Sequence, residues 1–82
     1  MARSKVETFL EVLEIIKGGI SKPTHIMSRA SLSWQPLMRI LKSMMSQGLV
    51  KETVVTGDKR STKIYELTMK GDEIVKHFRG GG

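Results

Sequence analysis

The apolar residues of this chain recur at three- and four-residue steps as far as Gly48, and there the period breaks. From Leu49 onward come Val- and Thr-rich runs around a polar turn that contains glycine, followed by a short helical pattern. A chain that changes period in this way must pack helices first and a hairpin after them. With 82 residues it has material for one domain and not two.

The first helix is expected from Lys5 to Lys17. Val6, Phe9, Leu10, Leu13 and Ile16 share one face, Glu7, Glu11 and Glu14 lie away from it, and Val12 and Ile15 widen the apolar stripe. Gly18-Gly19 stops it. A second, short helix runs from Lys22 to Arg29, with Pro23 in its first turn and Ser21 or Lys22 as N-cap. The third runs from Trp34 to Gln47. Ser33 is a good N-cap, and Pro36 is tolerated only in a first turn, which sets the helix start just before it. Leu37, Leu41 and Met44, with Ile40, form its core stripe, and Gly48 ends it.

Two β-rich runs follow, Leu49 to Thr56 and Thr62 to Leu67, joined by Gly57-Asp58-Lys59-Arg60-Ser61. That loop is longer than the tightest hairpin turns, so it is expected to project. Thr68 is the N-cap of a last helix from Met69 to Arg79, whose apolar residues are Ile74, Val75 and Phe78. The expected architecture is α+β, with one domain over residues 1–79 and a frayed glycine tail at 80–82.

The formal net charge is +6, and its distribution says more than its size. No acidic residue falls between Glu14 and Glu52, a stretch that carries Lys17, Lys22, Arg29, Arg39, Lys42 and Lys51. Ordinary solvated faces mix signs, because uniform charge repels itself. An acid-free basic segment points to phosphates as the counter-charge.

Two short helices joined by a tight turn make a helix-turn-helix unit, whose second helix lies in the DNA major groove. A helix turns about 100° per residue. With Leu37, Leu41 and Met44 inside, the outward face is Gln35, Arg39, Lys42 and Ser46, and none of these is acidic. Gln suits adenine edges and Arg guanine edges, while the flexible Lys42 suits a phosphate or a guanine. Ser33, Lys22, Thr24 and Arg3 are further candidates for DNA contact. Lys59 and Arg60 at the hairpin tip, with Lys63 beside them, make a basic wing that reaches the adjacent backbone or minor groove. The indole of Trp34 either packs on the preceding turn, the commoner fate of a lone tryptophan in a small domain, or faces DNA.

Several function classes drop out. Without cysteine there is no disulfide framework, thiolate zinc site or cysteine nucleophile. His25 and His77 are far apart and read as surface residues, so no metal is expected. No P-loop, dinucleotide glycine motif or paired-carboxylate pattern appears, so neither an enzyme nor a cofactor is expected. RNA is disfavoured because no aromatic stacking platform is present. No apolar run reaches a membrane span and no signal-peptide core appears, so a cytoplasmic, nucleoid-associated protein is expected.

The run Lys22-Pro23-Thr24-His25-Ile26-Met27, with Leu32-Ser33-Trp34 after it, resembles archaeal winged helix-turn-helix transcription regulators. So do Gln47-Gly48-Leu49-Val50 and Tyr65-Glu66-Leu67-Thr68 with Lys70-Gly71. The resemblance implies a winged helix-turn-helix fold, with double-stranded DNA as partner and a homodimer as the usual state; with the elements read above, that fold is three helices, a β-hairpin wing and a short C-terminal helix. In a Sulfolobus chromatin-type branch the last helix is long and forms a coiled coil between subunits, which a helix ending at Arg79 is too short to do. A smaller interface on the first and last helices, through Val12, Ile15, Ile74, Val75 and Phe78, is the corresponding expectation here. The competing reading is a protein-interaction module whose basic face meets an acidic protein.

Overall fold

A computed structural model of the protein describes residues 4–57 and 59–80. Helix α1, Lys5–Lys17, starts from a capping box: Ser4 Oγ accepts from Glu7 N–H at 3.1 Å, and Glu7 Oε1 accepts from Ser4 N–H at 3.3 Å. Helix α2, Pro23–Ala30, has Lys22 in the N-cap position without a side-chain bond. It ends at Ser31, whose φ of 54° is left-handed. The N–H of Leu32 returns to Met27 O at 3.0 Å, which makes the turn into α3 tight. Helix α3, Trp34–Ser46, has Ser33 in the N-cap position and closes at Gly48, φ 75°, with the N–H of Leu49 reaching back to Met44 O at 2.8 Å.

Strands β1, Val50–Thr56, and β2, Ser61–Leu67, pair antiparallel from Val50 opposite Leu67 to Thr56 opposite Ser61. The N–H of Gly57 donates to Arg60 O at 2.9 Å. Residues 57–60 join the strands, so Ser61, expected in the loop, opens β2, and the connection is still longer than the tightest hairpin turns. The hairpin projects because its strands are long, each with seven residues at about 3.4 Å per residue. A further pairing carries no period that a sequence reading can detect: the N–H of Tyr65 donates to Ser21 O at 2.9 Å, tying the α1–α2 connection to the outer edge of β2.

Helix α4, Met69–Gly80, is capped by Thr68 Oγ1, which accepts from Gly71 N–H at 3.1 Å. The expected glycine tail concerns Gly80, which closes α4, and Gly81 and Gly82, which lie outside the described residues. Gly71 lies so near β1 that a Cβ there would overlap Leu49 O. Across the same seam Thr68 N–H donates to Leu49 O at 3.0 Å, and Lys70 Nζ to Gln47 O at 3.1 Å. At the other end of α1, Lys17 and Lys76 converge on Asp72 at 2.9 and 3.2 Å. Their hydrogen bonds, that from Lys17 foremost, hold its carboxyl below the usual carboxylate value.

The core joins Val12, Leu13 and Ile16 of α1 to Ile26 and Ala30 of α2 and to Leu37, Leu41 and Met44 of α3. Leu49, Val50, Tyr65 and Val75 complete it. Two expectations change here. The helical period puts Val6 on the inner face of α1, but it is 63% exposed, while Val12, expected at the margin, is fully buried. A helix apolar on more than one side leaves open which side turns inward, and contact with α2 and α4 decides it. Val12 and Val75 therefore drop out of the subunit interface expected on α1 and α4. What remains exposed or half-buried at that end is Val6, Phe9, Leu10, Ile74 and Phe78, which line one open groove of about 340 Å³.

Candidate nucleic-acid interface

Helix α3 is amphipathic in the manner its sequence predicts. Leu37, Leu41 and Met44 have no exposed surface, and Gln35, Arg39, Lys42 and Ser46 all face solvent. No ion pair among the described residues involves Arg39 or Lys42. Their positive charge is thus open to an outside anion. Gln35, Arg39 and Lys42 line a shallow recess of about 350 Å³ with Trp34 and Met38.

Trp34 takes the less common of its two expected places. It is 49% exposed and belongs to this outward surface rather than lying packed under the preceding turn. The tight return of Leu32 to Met27 puts Leu32 against the core and leaves Trp34 at the first helical position, turned to solvent. The sequence holds no marker for this, because the side a tryptophan faces in the first turn depends on the angle at which α3 leaves that turn.

Around α3 the other candidates among the described residues are exposed. Ser33 makes no capping bond with its side chain, and Lys22 and Thr24 stand at the start of α2. Lys59 and Arg60 are exposed at the hairpin tip. Lys63 is exposed on β2, but its Nζ lies 3.9 Å from Glu52 Oε1, so its charge is partly offset. Arg3 lies outside the described residues.

The hairpin is held to the body by Tyr65. Its ring is buried, and its hydroxyl donates to Glu52 Oε2 at 2.8 Å on the opposite strand. Burial, then the hydrogen bond and the charge of Glu52, push the phenol up to about 12. Tyr65 N–H is also the donor to Ser21 O, so one residue fixes the hairpin root to both β1 and the helix-turn-helix. Among the described residues no cluster of His, Asp or Glu has the form of a metal site, and no helix is long and apolar enough to cross a membrane.

Residues 2–80 match the family model described as winged helix-turn-helix. An uncharacterized protein of Methanocaldococcus jannaschii is 34% identical over 71 residues, covering 79% of this chain and 73% of that protein. Among solved structures, the zinc-responsive MarR family member ZitR of Lactococcus lactis superposes with a TM-score of 0.78 at 22% identity, over 98% of this chain and 54% of that one. A ZitR variant in complex with DNA gives the same TM-score and identity over 98% of this chain and 57% of that one. A MarR family transcriptional regulator from Silicibacter pomeroyi gives 0.76 at 20% identity, over 89% and 49%. The chain thus spans about half the length of these solved structures.

Proposed function

Because the chain belongs to the winged helix-turn-helix family, we propose that it is a double-stranded DNA-binding transcription regulator, with residues 1–79 as its DNA-binding domain. Helix α3 enters the major groove, and the basic hairpin lies on the adjacent backbone or minor groove. The observation that carries this reading is the outward face of α3: Gln35, Arg39, Lys42 and Ser46 are all exposed, none is acidic, and neither cation has an ion-pair partner among the described residues. The DNA complex of the similarly folded ZitR variant supports it. Ser33, Lys22, Thr24, Arg3, Lys59, Arg60 and Lys63 serve as backbone contacts, with Lys63 the weakest because Glu52 stands near it.

We also assign the groove lined by Val6, Phe9, Leu10, Ile74 and Phe78 to a second copy of the chain. Val6 and Phe78, 63% and 58% exposed, are large apolar side chains that a symmetric partner would cover. Neutralising Val6 and Phe78 with polar residues should leave a strict monomer in light scattering; an unchanged dimer mass would rule this face out.

The test of DNA binding is titration of a labelled 30-bp duplex at several salt concentrations. Neutralisation of several phosphates makes log K fall linearly with log salt, with a slope of about −0.9 for each phosphate contacted. A slope of about −3 to −5 is expected from the basic residues that flank α3. Absence of duplex binding at low salt would overturn the reading in favour of an acidic protein partner.

A further inference from the structure

The outward surface of α3 contains an apolar element that phosphate binding does not explain. Trp34, half exposed, and Met38 line the same recess as Gln35, Arg39 and Lys42. An indole left half in water on a recognition surface costs hydration free energy unless binding covers it. Inside a duplex the faces of the bases are stacked on one another, so a side chain entering the major groove meets only their edges. Along those edges the one apolar group among the four standard bases is the C5-methyl of thymine.

We propose that Trp34 reads thymine methyl groups in the major groove and is a specificity-determining residue of the domain. The inference rests on the DNA-binding reading above and deepens it. Gln35 follows Trp34 directly, and its amide matches the N7 acceptor and N6 donor of adenine. The first turns of α3 therefore pair an apolar reader of thymine with a polar reader of adenine, and Arg39, one turn further along, supplies the guanine reader. The domain accordingly favours sites in which A·T pairs adjoin a G·C pair, and the preference for A·T comes in part from methyl burial rather than hydrogen bonding alone.

The experiment uses the whole chain and two 30-bp A·T-rich duplexes of identical sequence, one with thymine and one with every thymine replaced by deoxyuridine, which lacks only the methyl. Burial of one methyl corresponds to about a 4-fold change in affinity. The wild-type chain is expected to bind the thymine duplex at least that much more tightly. Trp34→Gln should bind the two duplexes equally, and Trp34→Leu, which keeps apolar bulk, should retain a preference. In the unaltered chain Trp34 is the sole tryptophan, so its emission should change on duplex addition. Tight binding of both duplexes with equal affinity, a preference that survives in Trp34→Gln, or unaltered emission would each overturn the proposal and leave DNA binding itself intact. Failure to bind either duplex at low salt would instead overturn the DNA-binding reading, and this proposal with it.

Discussion

Replacing Gly71 by alanine tests how α4 is locked to the hairpin root. The new Cβ would overlap Leu49 O and lie 3.1 Å from Leu49 C and 3.2 Å from Leu67 Cδ2. Two of these atoms are backbone, so no side-chain rotation relieves the clash. To restore ordinary contact of about 3.5–4.0 Å, α4 must retreat by on the order of 1 Å. That retreat stretches the bond from Thr68 N–H to Leu49 O, now 3.0 Å, beyond the useful range. Overpacking costs about 1–3 kcal/mol and a lost hydrogen bond about 1 kcal/mol. The gain from alanine inside a helix offsets about 0.5–1 kcal/mol. The net expectation is a loss of about 1–3.5 kcal/mol, and in a domain of this size each kcal/mol lowers Tm by about 4–8 °C. Urea and thermal unfolding followed by circular dichroism provide the measurement. Gly18→Ala is the internal control. Gly18 sits at φ −71° and its added Cβ would come no nearer than 3.4 Å to any neighbour, so its stability should change by less than about 0.5 kcal/mol. A Gly71→Ala protein as stable as wild type would refute the close approach of α4 to β1.

Two further substitutions probe the hairpin root and the helix-turn-helix turn. Tyr65 has its pKa raised from 10.0 to about 12, so its stabilising effect is complete below pH 10 and is lost as the pH rises toward 12; Tyr65→Phe should remove that alkaline limb from unfolding curves measured between pH 9 and 12. Ser31 holds a left-handed φ of 54°, which costs an L-residue about 1–2 kcal/mol, so Ser31→Gly should raise stability by about 0.5–1 kcal/mol after the extra freedom of glycine in the unfolded chain. A lower Tm for Ser31→Gly would contradict that account of the turn.

What the sequence made legible follows from how many residues encode each feature. The inner and outer faces of α3 rest on eight positions in phase, and seven lie where the period puts them, with Ile40 half-buried at the margin. The hairpin follows from the Val- and Thr-rich runs, but its closure by Gly57 and Arg60 is a single hydrogen bond that the loop composition does not specify. The bond between Ser21 and Tyr65 is likewise one bond between distant residues, with no pattern to betray it. The inner side of α1 was ambiguous because Val6, Val12 and Ile15 make the helix apolar on more than one side. The exposure of Trp34 depends on the angle at which α3 leaves the Ser31–Ser33 turn, which only tertiary packing fixes.

If α3 carries the DNA contact, loss of its two outward cations must weaken binding. The most direct test is duplex affinity of the double variant Arg39→Gln with Lys42→Gln, measured beside wild type across a salt series. Both residues are exposed and outside the ion pairs of the described residues, so the variant should unfold at the wild-type temperature. Loss of one base-reading guanidinium is worth about 1–3 kcal/mol, and removal of each phosphate contact flattens the salt slope by about 0.9. The expected result is a folded protein that binds duplex about 30-fold or more weakly, with a shallower salt slope. A folded double variant with wild-type affinity and slope would contradict it and move the DNA contact away from α3.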